Sequence, residues 1–260
     1  MIPPLQNKIF ISTRPESQPD ELPELLADEG ATVIRWPLIE IKRASLSTHE
    51  KQQLMNLHQF HWIVFTSPNG VRHFFESLKE LIGTTDLPAG MEIAVIGSKT
   101  NKTVLSYGYT SSFVNPGNTA EDFAQPFSRF LTEKGFRPKI LLALGDLARN
   151  LIQDSLADTG LCTRINVYHT LLPEHIDTNI IQRIHDNRYD MIIFTSPSGI
   201  ENFLKVYPEG KNKSIPMACI GSVTAGAAAG YGFRPLVVAE KSSAAGIAGS
   251  ILNYYISKNN

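Results

Sequence analysis

The chain is predicted to be an α/β protein of two doubly wound parallel-sheet domains related by an internal repeat, with one domain discontinuous. Three observations lead there. Phe65-Thr66-Ser67-Pro68-Asn69-Gly70 returns as Phe194-Thr195-Ser196-Pro197-Ser198-Gly199. Ala94-Val95-Ile96-Gly97-Ser98-Lys99-Thr100 returns as Ala218-Cys219-Ile220-Gly221-Ser222-Val223-Thr224. Short apolar runs alternate with helical stretches along the chain, the pattern of strands and crossover helices in a parallel sheet.

Taken in order, residues 8–12 and 32–36 read as the first strands. Ala27-Asp28-Glu29-Gly30 before the second of them resembles Ala157-Asp158-Thr159-Gly160 before a later strand. Strands follow at 62–66, 92–96, 112–114, 140–144 and 164–168, with helices over 52–57, 71–81, 122–133 and 147–157. A second copy then runs through strands 191–195, 217–220 and 234–238 and helices 180–185, 200–206 and 247–256. Trp62-Ile63-Val64-Phe65 and Met191-Ile192-Ile193-Phe194 are apolar throughout, as expected of strands buried on both faces. The second copy has too few strands for its sheet, and the amino-terminal strands supply the rest. The expected domains are therefore 1–37 with 172–260, and an inserted 38–171. The chain crosses between them twice, a hinge with limited freedom.

Each repeated apolar run ends at Thr-Ser-Pro, where serine can cap a helix and proline can occupy its first turn. In doubly wound sheets ligands sit beyond the carboxyl ends of the strands. The Thr-Ser-Pro and Ile-Gly-Ser junctions both fall there, so both are expected to face an interdomain cleft. The N–H groups of helix starts can hold anionic ligand groups without a basic patch.

Composition narrows the function. Lys plus Arg number 24 against 25 acidic residues, with basic residues scattered, which argues against nucleic acid. No apolar stretch approaches the ~20 residues of a membrane span. Met1-Ile2-Pro3-Pro4 does not open like a signal peptide, and the expected location is the cytoplasm, as a monomer. Cys162 and Cys219 read as reduced thiols in different domains. His58 and His61 lack further ligands at zinc-like spacing, so no metal is expected. Gly226, Gly230 and Gly232 do not follow a strand as G-x-G-x-x-G, and no phosphate loop or nucleophile elbow is present.

The doubled Phe-Thr-Ser-Pro-x-Gly, both Ile-Gly-Ser-x-Thr segments, Thr13-Arg14-Pro15 and Val167-Tyr168-His169-Thr170 together resemble the uroporphyrinogen-III synthase family, over about residues 9–251. The resemblance implies two α/β domains joined by a two-stranded connector, with the active site between them. It implies a cofactor-free lyase step of tetrapyrrole biosynthesis on hydroxymethylbilane, a linear tetrapyrrole. Beyond that small molecule it leaves open a transient contact with the enzyme of the preceding step.

Substrate carboxylates are expected at the junctions of Ser67, Ser98, Ser196, Ser198 and Ser222, with Arg14 and Arg149 as bidentate partners at the rim. Arg149 reads equally as an exposed arginine near a helix start. Tyr168 matches a family tyrosine considered as the acid for loss of water; orienting substrate or packing the hinge is the other reading. Thr224 matches a family threonine important for function, and Thr100 is its repeat partner; either can instead bond its own helix. A two-lobed binding protein for an anionic metabolite and a nucleotide-dependent transferase are the rival classes.

Overall fold

The computed structural model describes residues 3–16, 20–115, 117, 119–133, 135–212 and 214–259. The opening Met1-Ile2, part of the segment read above for targeting and for the discontinuous domain, lies outside them.

The strands are β1 (Ile9–Ser12), β2 (Thr32–Arg35), β3 (Glu40–Arg43), β4 (Trp62–Phe65), β5 (Glu92–Ile96) and β6 (Phe113–Asn115). They continue as β7 (Lys139–Gly145), β8 (Leu161–Leu171), β9 (Met191–Phe194), β10 (Met217–Cys219) and β11 (Val237–Val238). The helices are α1 (Leu22–Ala27), α2 (Thr48–Met55), α3 (Pro68–Ile82), α4 (Ser98–Ser106) and α5 (Ala120–Glu133). After them come α6 (Leu151–Ser155), α7 (Thr178–His185), α8 (Pro197–Val206), α9 (Ser222–Gly230) and α10 (Ala244–Asn259).

The chain forms two compact units, Met1–Glu40 with Leu171–Asn260, and Ile41–Thr170. The first holds a five-stranded sheet in the order β11-β10-β9-β1-β2, so a strand from residues 9–12 lies between strands from 32–35 and 191–194. The second holds a six-stranded sheet, β3-β8-β7-β4-β5-β6. β1 pairs in parallel with β2 and β9, and β4 with β5 and β7. The two passages of the chain between the units run through β3 and β8, which are neighbours at one edge of the six-stranded sheet.

Both central strands are apolar throughout because both faces are covered. Ile63 and Phe65 join the core against α2 and α3, whereas Trp62 and Val64 join the aromatic core around Phe123 and Phe127. Likewise Ile192 and Phe194 face one core of the other unit, and Met191 and Ile193 face the opposite one. Each fully buried side chain of this size contributes about 1.5–3 kcal/mol.

Some boundaries differ from the sequence reading. β3 and α1 were not foreseen: β3 is partly exposed and charged, and α1 carries a proline in its first turn. β8 runs through eleven residues rather than over 164–168. β11 is reduced to two residues, since Pro235 offers no N–H and constrains its predecessor. The helix expected over 147–157 shortens to α6 (Leu151–Ser155), because turns at 146–147 and 150 precede it and turns at 156–159 follow it. α2 starts earlier than expected, at a capping box in which Ser47 and Glu50 satisfy each other's backbone N–H groups.

Candidate functional site

Four helices begin where four central strands end: α3 after β4, α4 after β5, α8 after β9 and α9 after β10. The structure separates them into two kinds. At the Thr-Ser-Pro junctions the serine caps its own helix: Gly70 N–H donates to Ser67 Oγ at 3.1 Å, and Gly199 N–H donates to Ser196 Oγ at 3.2 Å. Ser196 Oγ also lies 3.1 Å from Ser198 Oγ.

The Ile-Gly-Ser junctions have no such cap. Gly97 and Gly221 occupy the capping positions, and neither helix has a side-chain cap hydrogen bond among the described residues. Gly97 has φ 78°, a conformation that glycine adopts at no steric cost. Ser98 and Ser222 are the first helical residues and are exposed, whereas Thr100 and Thr224 are buried in the same turns. The starts of α4 and α9 thus keep the partial positive charge and N–H groups that an anion can use.

In unit 41–170 the end of β8 carries Tyr168. Gly145 pairs with Tyr168 while Leu144 pairs with Asn166, so Val167 is the extra residue of a β-bulge. The bulge breaks the two-residue alternation. Val167 and Tyr168 therefore both pack on the core that contains Phe65 and Phe74. The Tyr168 hydroxyl reaches Ser67 Oγ at 3.2 Å, and its ring lies 5.8 Å from that of His73. Burial pushes the phenol above its ordinary 10.0; the Ser67 hydrogen bond pulls it back and the Asp146 charge pushes it further up. Tyr168 is accordingly a protonated donor at neutral pH.

The turn after β7 is tightly braced beneath this phenol. Arg164 donates to the carbonyls of Gly145 and Asp146 at 3.1 and 3.3 Å, to Asn150 at 2.8 Å and to Asn166 at 2.9 Å. A Cβ at Gly145 would fall 2.4 Å from the Tyr168 ring. Neither Asp146 nor Arg164 was singled out from sequence. The only available signal was a Gly-Asp pair ending an apolar strand, which is common in turns.

In the other unit, β1 leads into Thr13, whose hydroxyl donates to the Ile193 carbonyl at 3.0 Å. Arg14 follows, largely buried, 3.7 Å from the Asp20 carboxylate, with its Nε buried and without a partner among the described residues. Arg149 is different: it is exposed and pairs with Glu121. Among the described residues no group of three His, Cys, Asp or Glu side chains could hold a metal ion. No described helix is long and apolar enough to cross a membrane.

Residues 20–249 match the family model described as Uroporphyrinogen-III synthase HemD. The chain belongs to the uroporphyrinogen-III synthase family. It is 28% identical over 243 residues to a porphyrin biosynthesis protein HemD of Ruminiclostridium josui, covering 92% of this chain and 47% of that protein. This chain therefore spans about half the length of that relative. It is 29% identical to a putative uroporphyrinogen-III synthase of Methanocaldococcus jannaschii, over 87% of this chain and 91% of the relative. In fold it is similar to a mutant uroporphyrinogen III synthase of Thermus thermophilus, with a TM-score of 0.68 at 16% identity, covering 96% of this chain and 99% of that one. The Helicobacter pylori uroporphyrinogen-III synthetase structure gives a TM-score of 0.58 at 16% identity, covering 97% and 98%. Nothing in these family matches supports the rival reading as a two-lobed binding protein.

Proposed function

We propose that this protein is a carbon–oxygen lyase that cyclises hydroxymethylbilane to uroporphyrinogen III. In this reaction the terminal hydroxyl of the linear tetrapyrrole leaves as water, giving an azafulvenium cation on ring A. The cation attacks the substituted carbon of ring D, and the spirocyclic pyrrolenine then fragments and re-closes with ring D inverted. Without control of conformation the linear molecule closes to the uninverted isomer I.

The observation that carries this reading is the Tyr168 phenol, held on Ser67 by a bond of 3.2 Å and kept protonated by burial. It supplies a hydrogen bond, and then a proton, to the departing hydroxyl. Such general acid help is typically worth about 10²–10⁴ in rate. The substrate's acetate and propionate groups need donors, and the chain has no excess of positive charge. The uncapped starts of α4 and α9, bearing Ser98, Thr100, Ser222 and Thr224, meet that need in their respective units. Arg14, whose Nε has no partner among the described residues, serves a further carboxylate. Ser67 and Ser196 act mainly by fixing the helix starts that they cap, and Ser198 supports Ser196 through the 3.1 Å contact between their hydroxyls. Arg149 takes part only after exchanging Glu121 for a substrate carboxylate. Catalysis then rests on positioning and preorganised dipoles.

The test is incubation of the purified protein with hydroxymethylbilane, followed by oxidation and separation of porphyrin isomers. Isomer III from wild type, falling sharply in Tyr168→Phe, is the expected result. Isomer I alone from wild type would exclude the reaction.

A further inference from the structure

Asp146 is the most heavily bonded acidic residue near Tyr168. Its Oδ1 accepts from Thr170 N–H at 3.0 Å and from Leu147 N–H at 3.0 Å. Its Oδ2 lies 3.2 Å from His169 Nδ1. Its backbone N–H donates to the Tyr168 carbonyl at 3.1 Å. One residue thus binds the three consecutive positions 168, 169 and 170, immediately after the bulge that turns the phenol onto the core.

We propose that Asp146 is a positioning residue for Tyr168, holding the end of β8 so that the phenol stays on Ser67 and faces the leaving hydroxyl. This rests on the reading of Tyr168 given above. The physical reason is that a bulge leaves a strand with one residue unpaired, so the next register position needs a separate anchor. Regular ladder bonding supplies the Asp146 N–H to the Tyr168 carbonyl. The carboxylate supplies the rest: the Thr170 amide has a charged acceptor, and the His169 ring has a carboxylate partner. Arg164 fixes the other half of the bracket through the Gly145 and Asp146 carbonyls, so the carboxylate itself cannot drift with its loop. Such doubly anchored turns suit a site where small displacements are expensive, since a misplacement of about 1 Å can cost about 10²-fold in rate.

Two variants separate positioning from folding. Asp146→Ala removes every side-chain bond, whereas Asp146→Asn keeps one acceptor oxygen for the Thr170 and Leu147 amides. Amide exchange is read first, without substrate. Thr170 N–H in Asp146→Ala should exchange about tenfold or more faster, as expected on losing a bond to a charged acceptor, with a smaller change in Asp146→Asn. Isomer-III formation is read second. Asp146→Ala should lower kcat by up to about 10²-fold with KM little changed, and Asp146→Asn should retain more of the rate. In the Tyr168→Phe background Asp146→Ala should bring no further loss, because the group being positioned is gone. The same fractional loss in both backgrounds, or an undiminished rate in Asp146→Ala, overturns the proposal. Wild type yielding isomer I alone would count against the reaction instead. The exchange arm then decides alone, and an unchanged Thr170 rate in Asp146→Ala overturns the placement.

Discussion

Replacing Gly145 by alanine places a methyl group 2.4 Å from Tyr168 Cζ and 2.7 Å from its hydroxyl oxygen, well inside contact distance. The backbone cannot yield easily, because Arg164 grips the Gly145 and Asp146 carbonyls and the ladder pairs Gly145 with Tyr168. The ring must therefore swing away. Forcing a methyl group into a packed site typically costs about 1–3 kcal/mol. Here the lower end is expected, since the atoms in the way are the far end of one side chain. The rate should suffer more than the stability. A displacement of about 1 Å breaks the 3.2 Å bond to Ser67 and can cost about 10²-fold, equivalent to about 2.7 kcal/mol of barrier. The assay pairs urea unfolding with the initial rate of isomer-III formation for wild type, Gly145→Ala and Tyr168→Phe. Gly145→Ala should lose up to about 1 kcal/mol of stability and fall toward the Tyr168→Phe rate. A Gly145→Ala protein with the wild-type rate would refute the reasoning, whatever its stability.

Ser67→Ala and Ser196→Ala should each lower stability by about 0.5–2 kcal/mol through loss of a helix cap, seen as a lower urea midpoint. Only Ser67→Ala also removes the partner of Tyr168, so its rate loss should be the larger in the isomer assay. Asn202, which is buried, donates to the Leu38 carbonyl at 2.7 Å, so Asn202→Leu strands that acceptor and should cost about 1–3 kcal/mol. Alkaline pH should destabilise the fold. Burial raises Tyr189 and Cys219 to about 12 and Cys162 to about 11, from ordinary values of 10.0 and 9.0, and raises Tyr168 and Tyr255 as well. Because these folded values are raised, the unfolded chain loses its protons first. The stability is complete below pH 9 and declines as pH rises from there through the folded values, which a series of unfolding midpoints from pH 8 to 11 would reveal.

The central strands were legible because burial on both faces leaves an unbroken apolar signal, as at 62–65 and 191–194. The sharing of one sheet by residues 9–12, 32–35 and 191–194 followed from the wrap-around repeat. β3 escaped because an edge strand that is half exposed keeps a charged sequence, Glu40-Ile41-Lys42-Arg43, with no alternation to read. Within the site, the repeats located the helix starts but made the serines look alike. Whether a hydroxyl caps its own helix depends on its lying one residue before the helix, as Ser67 and Ser196 do, or one residue inside it, as Ser98 and Ser222 do. Ile-Gly-Ser contains no residue that announces this difference. The bracket of Asp146, Arg164 and Tyr168 was illegible for a stronger reason: it exists only because a bulge at Val167 shifts register, and nothing local to residues 164–168 encodes that shift.

In the proposed binding mode, uncapped helix starts more than basic side chains receive the carboxylates of the tetrapyrrole. The most direct measurement is an anaerobic titration of the ¹⁵N-labelled protein with uroporphyrinogen III, following backbone amide shifts. The largest changes are expected at residues 98–100 and 222–224, with smaller ones at Gly70 and Gly199, whose N–H groups already have serine partners. Undisturbed amides at 98–100 and 222–224, with the perturbation confined to arginine and lysine side chains, would contradict that binding mode.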